Sequence, residues 1–154
     1  MRVLLLSAYA AHSHLHWQRT LQALFPEWHW EVLSLPPRHF SWRVRGNPLF
    51  WALARREVLE RDYDLLVATS MVDLATLRGL VPALARLPAL LYFHENQFDY
   101  PRRPQQQSLL EAQMVTLYGA LAADRVAFNS RYNRDSFLQG CDALLARLPD
   151  FVPP

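Results

Sequence analysis

Ala89-Leu90-Leu91-Tyr92-Phe93-His94-Glu95-Asn96-Gln97 passes within one residue from an uninterrupted apolar run to a dense polar cluster. A short apolar run without alternation is the pattern of a strand buried on both faces of a parallel sheet. The polar cluster then falls at the strand's carboxyl end, where open α/β sheets bind their ligands. The stretch therefore predicts both a fold class and a candidate site centred on His94.

On either side of it, strand-like and helix-like segments alternate. Val3 to Leu6 reads as a first strand, and Ala10-Ala11-His12-Ser13-His14 as the polar turn after it. A helix is expected over 15–25, with Leu21, Leu24 and Phe25 on one side and Pro26 stopping it. A second strand is expected over 29–35. Residues 38–47 read as a loop of interleaved aromatic and basic side chains. Asn47 is placed to cap a helix that opens at Pro48 and buries Leu49, Ala52, Leu53 and Leu59. A third strand is expected over 64–68, and Asp73 caps a short helix that Pro82 bends or restarts. Beyond the opening stretch, a helix is predicted over 105–122, lined by Leu110, Met114, Leu117 and Leu121. A fifth strand over 125–128 and a last helix over 132–145 complete the order.

Five strands alternating with helices predict a doubly wound, mainly parallel Rossmann-like sheet, with right-handed crossovers and helices on both faces. Four polar strand ends then share one edge: His12-Ser13-His14, Thr69-Ser70, His94 to Gln97, and Asn129-Ser130. Such a set predicts a cleft.

With 154 residues, 51% of them hydrophobic, the chain is long enough for one packed domain and too apolar for disorder. No apolar run reaches membrane-spanning length, and the N-terminal apolar stretch reads as a buried strand rather than a signal peptide. The single Cys141 excludes an internal disulfide and suits a cytoplasmic protein. All sixteen basic residues are arginine, the cation suited to bidentate phosphate contacts and base stacking. Six of them fall between Arg38 and Arg61 against only Glu57 and Glu60, consistent with either solvated surface or an anionic partner.

The first strand–helix turn carries no glycine, and only Gly46, Gly79, Gly119 and Gly140 occur in the chain. A dinucleotide fingerprint and a P-loop are thereby excluded, because both need glycines for close backbone approach to phosphate. No nucleophile elbow accompanies Ser13, His94 and the acids Glu95 and Asp99, which weighs against a serine hydrolase. His12, His14 and His16 offer metal-type ligands only if a loop brings them together. His94 reads either as a structural strand-end imidazole or as a neutral group facing a cleft, where it bonds a hydroxyl or assists proton transfer. Glu95 is placed to orient it, and Asn96 and Gln97 offer donors and acceptors to hydroxyls or a base edge. Trp42 with Arg43 and Arg45 reads as a loop anchor with solvated charge, or as a platform for a nucleoside and its phosphate.

Four segments together resemble the tRNA-queuosine mannosyltransferases, a glycosyltransferase family 4-like group of the GT-B superfamily. They are Ser13-His14 after the first strand; Trp42-Arg43-Val44-Arg45-Gly46; Tyr92-Phe93-His94-Glu95-Asn96-Gln97-Phe98-Asp99-Tyr100-Pro101; and Phe128-Asn129-Ser130 followed by Asn133, Ser136 and Phe137. The resemblance covers essentially the whole chain, and the third segment is the specific one. It implies the N-terminal half of a GT-B fold, with residues 1–148 as the acceptor-side domain and 149–154 opening the connection to a donor-binding domain beyond them. The implied reaction is retaining transfer of mannose from GDP-mannose to queuosine in the anticodon of tRNA-Asp, with no metal or other cofactor. By the same resemblance His94 lies beside the transferred sugar. Ser13, His14, Glu95, Asn96, Gln97, Asn129 and Ser130 line the acceptor or donor pocket, and Trp42, Arg43 and Arg45 meet the tRNA. Ala11-His12 stands where the family commonly has Gly-Gly, so the backbone there approaches a phosphate less closely. Two other readings remain open: an RNA- or nucleotide-binding module without chemistry, and a GT-B enzyme with a lipid or glycan acceptor.

Overall fold

A computed structural model describes residues 1–99 and 109–150. Five strands, β1 (Arg2–Ser7), β2 (His29–Ser34), β3 (Leu65–Thr69), β4 (Ala89–Phe93) and β5 (Arg125–Phe128), form one sheet in the order β2-β1-β3-β4-β5. Every pairing is parallel, with Leu5 opposite both Val32 and Val67, and Phe93 opposite Phe128. Seven helices connect or follow the strands among the described residues: α1 (His12–Leu24), α2 (Phe40–Ala54), α3 (Arg56–Leu59), α4 (Leu74–Leu80), α5 (Pro82–Ala85), α6 (Leu109–Ala122) and α7 (Arg131–Leu145). The predicted α/β class and parallel sheet are observed.

The strand order reverses at β1. The chain leaves β1 toward β2 on one side and returns to β3 on the other, so right-handed crossovers put α1 and α2 on opposite faces. Leu4, Leu6, Leu66, Leu91 and Phe93 pack on one face beneath α2, α4, α5, α6 and α7. Val3, Leu5 and Val67 face the other way, toward Trp17 and Leu21 of α1. Both faces of β1 are accordingly sealed, with Val3, Leu4, Leu5 and Leu6 all fully buried. In β4, however, only Ala89, Leu91 and Phe93 are buried, while Leu90 and Tyr92 are half-buried. The expectation of burial on both faces thus holds for one face of β4. Among the described residues, α1 is the only helix in the second cluster, and its Trp17 covers Tyr92 by stacking at 4.3 Å.

Three local expectations are corrected. The first concerns α1, which begins at His12 rather than after His14, so Ser13 and His14 lie in its first turn instead of a loop. Its inward side is His14, Trp17 and Leu21, at spacings of three and four, while Leu24 is 65% exposed. The second concerns residues 38–47 and Pro48. Helix α2 starts at Phe40 and runs through Pro48, burying Val44, Asn47, Pro48, Trp51 and Ala52 and leaving Leu49 and Leu53 exposed. Proline inside a helix removes the donor for the carbonyl four residues back. Here that carbonyl belongs to Val44, and the Asn47 side chain reaches it instead. Asn47 Nδ2 donates to the carbonyls of Arg43, Val44 and Met71 at 2.6, 3.2 and 3.2 Å, and its Oδ1 accepts from Asp73 N at 3.2 Å. Asn47 is thus the repair of a proline break, not a cap. The third concerns α6, where Ala112, Val115, Thr116, Leu117 and Gly119 are buried while Leu110 and Leu121 are exposed. Of the predicted row only Leu117 is buried, with Met114 packed partly against the core; Ala112, Val115, Thr116 and Gly119 complete the inward face. The predicted start of that helix at 105–108, the motif residues Tyr100 and Pro101, and residues 151–154 lie outside the described residues.

Candidate functional site

In a parallel sheet all carboxyl ends share one edge, so the four polar strand ends meet there. Asp73 caps α4 as expected, its carboxylate accepting from Thr76 N at 3.2 Å. Thr69 and Ser70 are buried, and Ser70 Oγ donates to the carbonyl of Glu95 at 3.1 Å, which fixes the loop after β4 to the end of β3.

The central feature is a pair of imidazoles. His14, 3% exposed, projects from the first turn of α1 and stacks on His94 with ring centroids 3.9 Å apart and planes within 14°. Trp17 and Tyr92 meet the His94 ring edge-on, at 5.0 and 4.8 Å. Three rings from α1 and β4 therefore set the plane of His94 by packing. His14 Nε2 lies 3.3 Å from Glu95 Oε2; a carboxylate only accepts, so Nε2 is the donor in this contact. Glu95 thus orients His14 rather than His94. Two ring nitrogens, His14 Nδ1 and His94 Nε2, are buried without a hydrogen-bond partner. Burial first, and the neighbouring His14 second, push the His94 pKa from 6.5 down to about 4, against an upward pull from Glu95. His94 is therefore a neutral imidazole at physiological pH.

Beside the pair, a depression of about 200 Å³ is lined by His94, Glu95, Asn96, Asp99, Asn129, Ser130, Tyr132 and Asn133. Its walls are held by side-chain amides. Asn96 Nδ2 donates to the Asn133 carbonyl, to Asn133 Oδ1 and to Ser136 Oγ at 3.1, 2.8 and 3.0 Å, while its Oδ1 accepts from the backbone of Phe98 and Asp99. Asn133 Nδ2 donates to the Phe93 carbonyl and to Asn129 Oδ1, and Asn129 Nδ2 to the His94 carbonyl at 2.6 Å. Ser130 Oγ accepts from Asn133 N and caps α7. The Tyr132 hydroxyl donates to Asp99 Oδ2, joining the β4 loop to α7.

Of the residues singled out in the sequence, His94, Glu95, Asn96, Asn129 and Ser130 are brought together around this depression, with His14 behind His94. Asn96 lines it with its amide groups already occupied. Gln97 is turned into the core, 2% exposed, with Nε2 3.7 Å from Met71 Sδ. Ser13 is exposed on the outer side of α1, and His12 and His16 are exposed as well, so the three closely spaced histidines diverge. The turn before α1 needs no glycine: Ala11 is extended at φ −66°, and among the described residues His39 alone among non-glycine residues has positive φ.

Trp42, Arg43 and Arg45 also separate, because a helix turns consecutive side chains apart. Trp42 is 60% exposed and lies along α2 over Gly46, where an added Cβ would come within 2.6 Å of the indole. Arg45 Nη1 pairs at 2.6 Å with Oδ2 of the buried Asp73. Arg43 points toward the end of β2. Trp17 and Tyr132 are the site neighbours absent from the sequence reading, and Asp99 entered it only as a possible hydrolase acid and a motif residue. The signal for Trp17 was its place three residues after His14, on the face that a helix starting at His12 turns inward.

Residues 2–154 match the profile of the tRNA-queuosine alpha-mannosyltransferase N-terminal family. The chain belongs to that family. A tRNA-queuosine alpha-mannosyltransferase of Drosophila melanogaster is 39% identical over 123 residues, which cover 79% of this chain and 32% of that protein. The chain thus aligns with about a third of the length of the curated relative it matches. Family membership agrees with the Rossmann-like sheet, and with no described helix being long and apolar enough to cross a membrane.

Proposed function

We propose that the full-length protein transfers mannose from GDP-mannose to queuosine in tRNA-Asp with retention at the anomeric carbon. In this reading residues 1–148 hold the acceptor in the cytoplasm, residues 149–154 begin the connection, and a second domain binds GDP-mannose. The observation that carries it is the stacked His14–His94 pair, with two buried, unpartnered nitrogens at the sheet's carboxyl edge, in a chain of this family.

The chemistry follows from the charge state. A neutral His94 exchanges a hydrogen bond with a sugar or cyclopentenediol hydroxyl; it does not supply a cation near pH 7. The bond from the anomeric carbon to the GDP phosphate breaks as the acceptor oxygen bonds the same face, through an oxocarbenium-like transition state. The departing phosphate takes the acceptor's proton. His94 then contributes position and a fixed dipole, with Trp17, Tyr92 and His14 preventing its reorientation. Ser130, Asn129 and Glu95 supply the polar wall against which the acceptor lies.

The test is an assay of the full-length protein with GDP-mannose and queuosine-bearing tRNA-Asp, reading the product's anomeric configuration by NMR. The α-mannoside is expected. Absence of transfer to this tRNA under conditions where the protein is folded overturns the proposal, and a β-linked product overturns the retaining mechanism.

A further inference from the structure

Away from the imidazole pair, at the other end of the sheet, a groove of about 420 Å³ lies between the end of β2 and α2. Its walls include Pro36, Phe50 and Trp51, and three arginines enter it: Arg38, Arg43 and Arg55. No carboxylate among the described residues lines it. Among the described residues, none of the three arginines is paired with an acid, whereas Arg45, Arg56, Arg61, Arg78 and Arg134 all are. Arg43 Nε is buried without a hydrogen-bond partner. Arg55 sits over the Phe50 ring at 6.0 Å, which holds its guanidinium at the groove mouth. β2 is also an edge strand, pairing only with β1 among the described residues, so its outer backbone groups are free to donate and accept.

Arg55 Nη1 donates to the Ala54 carbonyl at 3.0 Å; its remaining donors, with those of Arg38 and Arg43, enter a groove that has an aromatic wall and no described acid, a cradle for phosphate oxygens. The groove lies at the carboxyl edge, three strand spacings from β4, or about 15 Å from it. An RNA whose reacting nucleoside lies against His94 has neighbouring phosphates within that reach. We propose that the Arg38–Arg43–Arg55 groove binds the phosphodiester backbone of the RNA acceptor, beside the reacting nucleoside and independently of its modification. This inference rests on the reading of the acceptor as RNA and adds to it a second site of contact.

The experiment measures binding of a labelled anticodon stem-loop RNA lacking queuosine to the full-length protein, across a range of NaCl concentrations. Each phosphate contact contributes about 0.7 to the slope of log K against log salt for single strands. The Arg38→Ala/Arg43→Ala/Arg55→Ala variant should lower that slope by about 2. The Arg38→Ala/Arg55→Ala variant, which alters only surface side chains, should lower it by about 1.4 with the circular dichroism spectrum unchanged. A slope in the double variant equal to that of the wild type overturns the groove assignment. Transfer by the wild-type protein is measured in parallel. Transfer with an unchanged slope removes the groove alone, and a lowered slope without transfer upholds the RNA groove and removes the proposed reaction.

Discussion

Two polar clusters sit at the carboxyl edge of this sheet, one beside β3 and one beside β4, and they differ in how their polar atoms are partnered. In the Asn47–Asp73–Arg45 cluster, both polar atoms of the buried Asn47 side chain are partnered: Nδ2 by three carbonyls, Oδ1 by an amide of the β3–α4 turn. The Asp73 carboxylate is likewise held, by Arg45 and by Thr76 N. In the His14–His94 cluster the rings are equally confined, yet two nitrogens are left without partners. Leaving a buried polar group unmatched costs about 1–3 kcal/mol. The satisfied cluster maintains the fold. Under the proposed function, the unsatisfied one offers that free hydrogen-bonding capacity to the acceptor.

Substitutions on each side sharpen that contrast, and the largest effect is expected at His94. His94→Gln should reduce turnover by about 10²–10³-fold, while unfolding free energy changes by less than about 1.5 kcal/mol, since the loss is limited to ring contacts. Steady-state kinetics with GDP-mannose and queuosine-bearing tRNA would check the first, and urea titration the second. Asn47→Ala should do the reverse. Losing the Nδ2 donor frees the Val44 and Met71 carbonyls in the interior, and a loss of about 2–4 kcal/mol is expected by the same titration.

Glu95→Ala is a smaller perturbation. It releases His14 Nε2 and lets the stacked ring shift, so turnover should fall about tenfold with little change in stability. An unaltered rate would mean that the orientation of His14 does not matter to the reaction. A further expectation concerns pH. The folded-state pKa of His94, about 4, lies below its unfolded value of 6.5, so between these values the unfolded chain binds more protons than the folded one. Stability from this group is therefore full above pH 6.5 and declines as pH falls toward 4. In His94→Gln the decline should be shallower, measured as the pH dependence of the urea midpoint. The activity profile of the wild type should show no His94 inflection between pH 6 and 8.

The parallel sheet was legible because Leu65-Leu66-Val67 and Leu90-Leu91-Tyr92-Phe93 are short apolar runs that end in polar residues. The placement of His94 at the carboxyl end of β4 was legible for the same reason. The course of α2 was not, because Pro48 signals a helix start by local rules and only the tertiary reach of Asn47 to Val44 and Met71 overrides them. The stack of His14 on His94 was equally hidden. It depends on α1 beginning at His12, which an uncapped alanine does not announce, and on the first turns of α1 lying against the end of β4. The two ends of Trp42-Arg43-Val44-Arg45-Gly46 illustrate a further limit: a sequence cluster placed on a helix is dispersed, with Arg45 toward Asp73 and Arg43 toward β2.

The most direct test determines turnover per folded molecule and unfolding free energy on the same preparations of full-length His94→Gln and Asn47→Ala. The expected result is a crossing. His94→Gln loses turnover by at least about a hundredfold and keeps its stability, while Asn47→Ala loses about 2–4 kcal/mol and retains turnover within several-fold per folded molecule. Retained turnover in His94→Gln would contradict the assignment of the unpartnered imidazole to substrate.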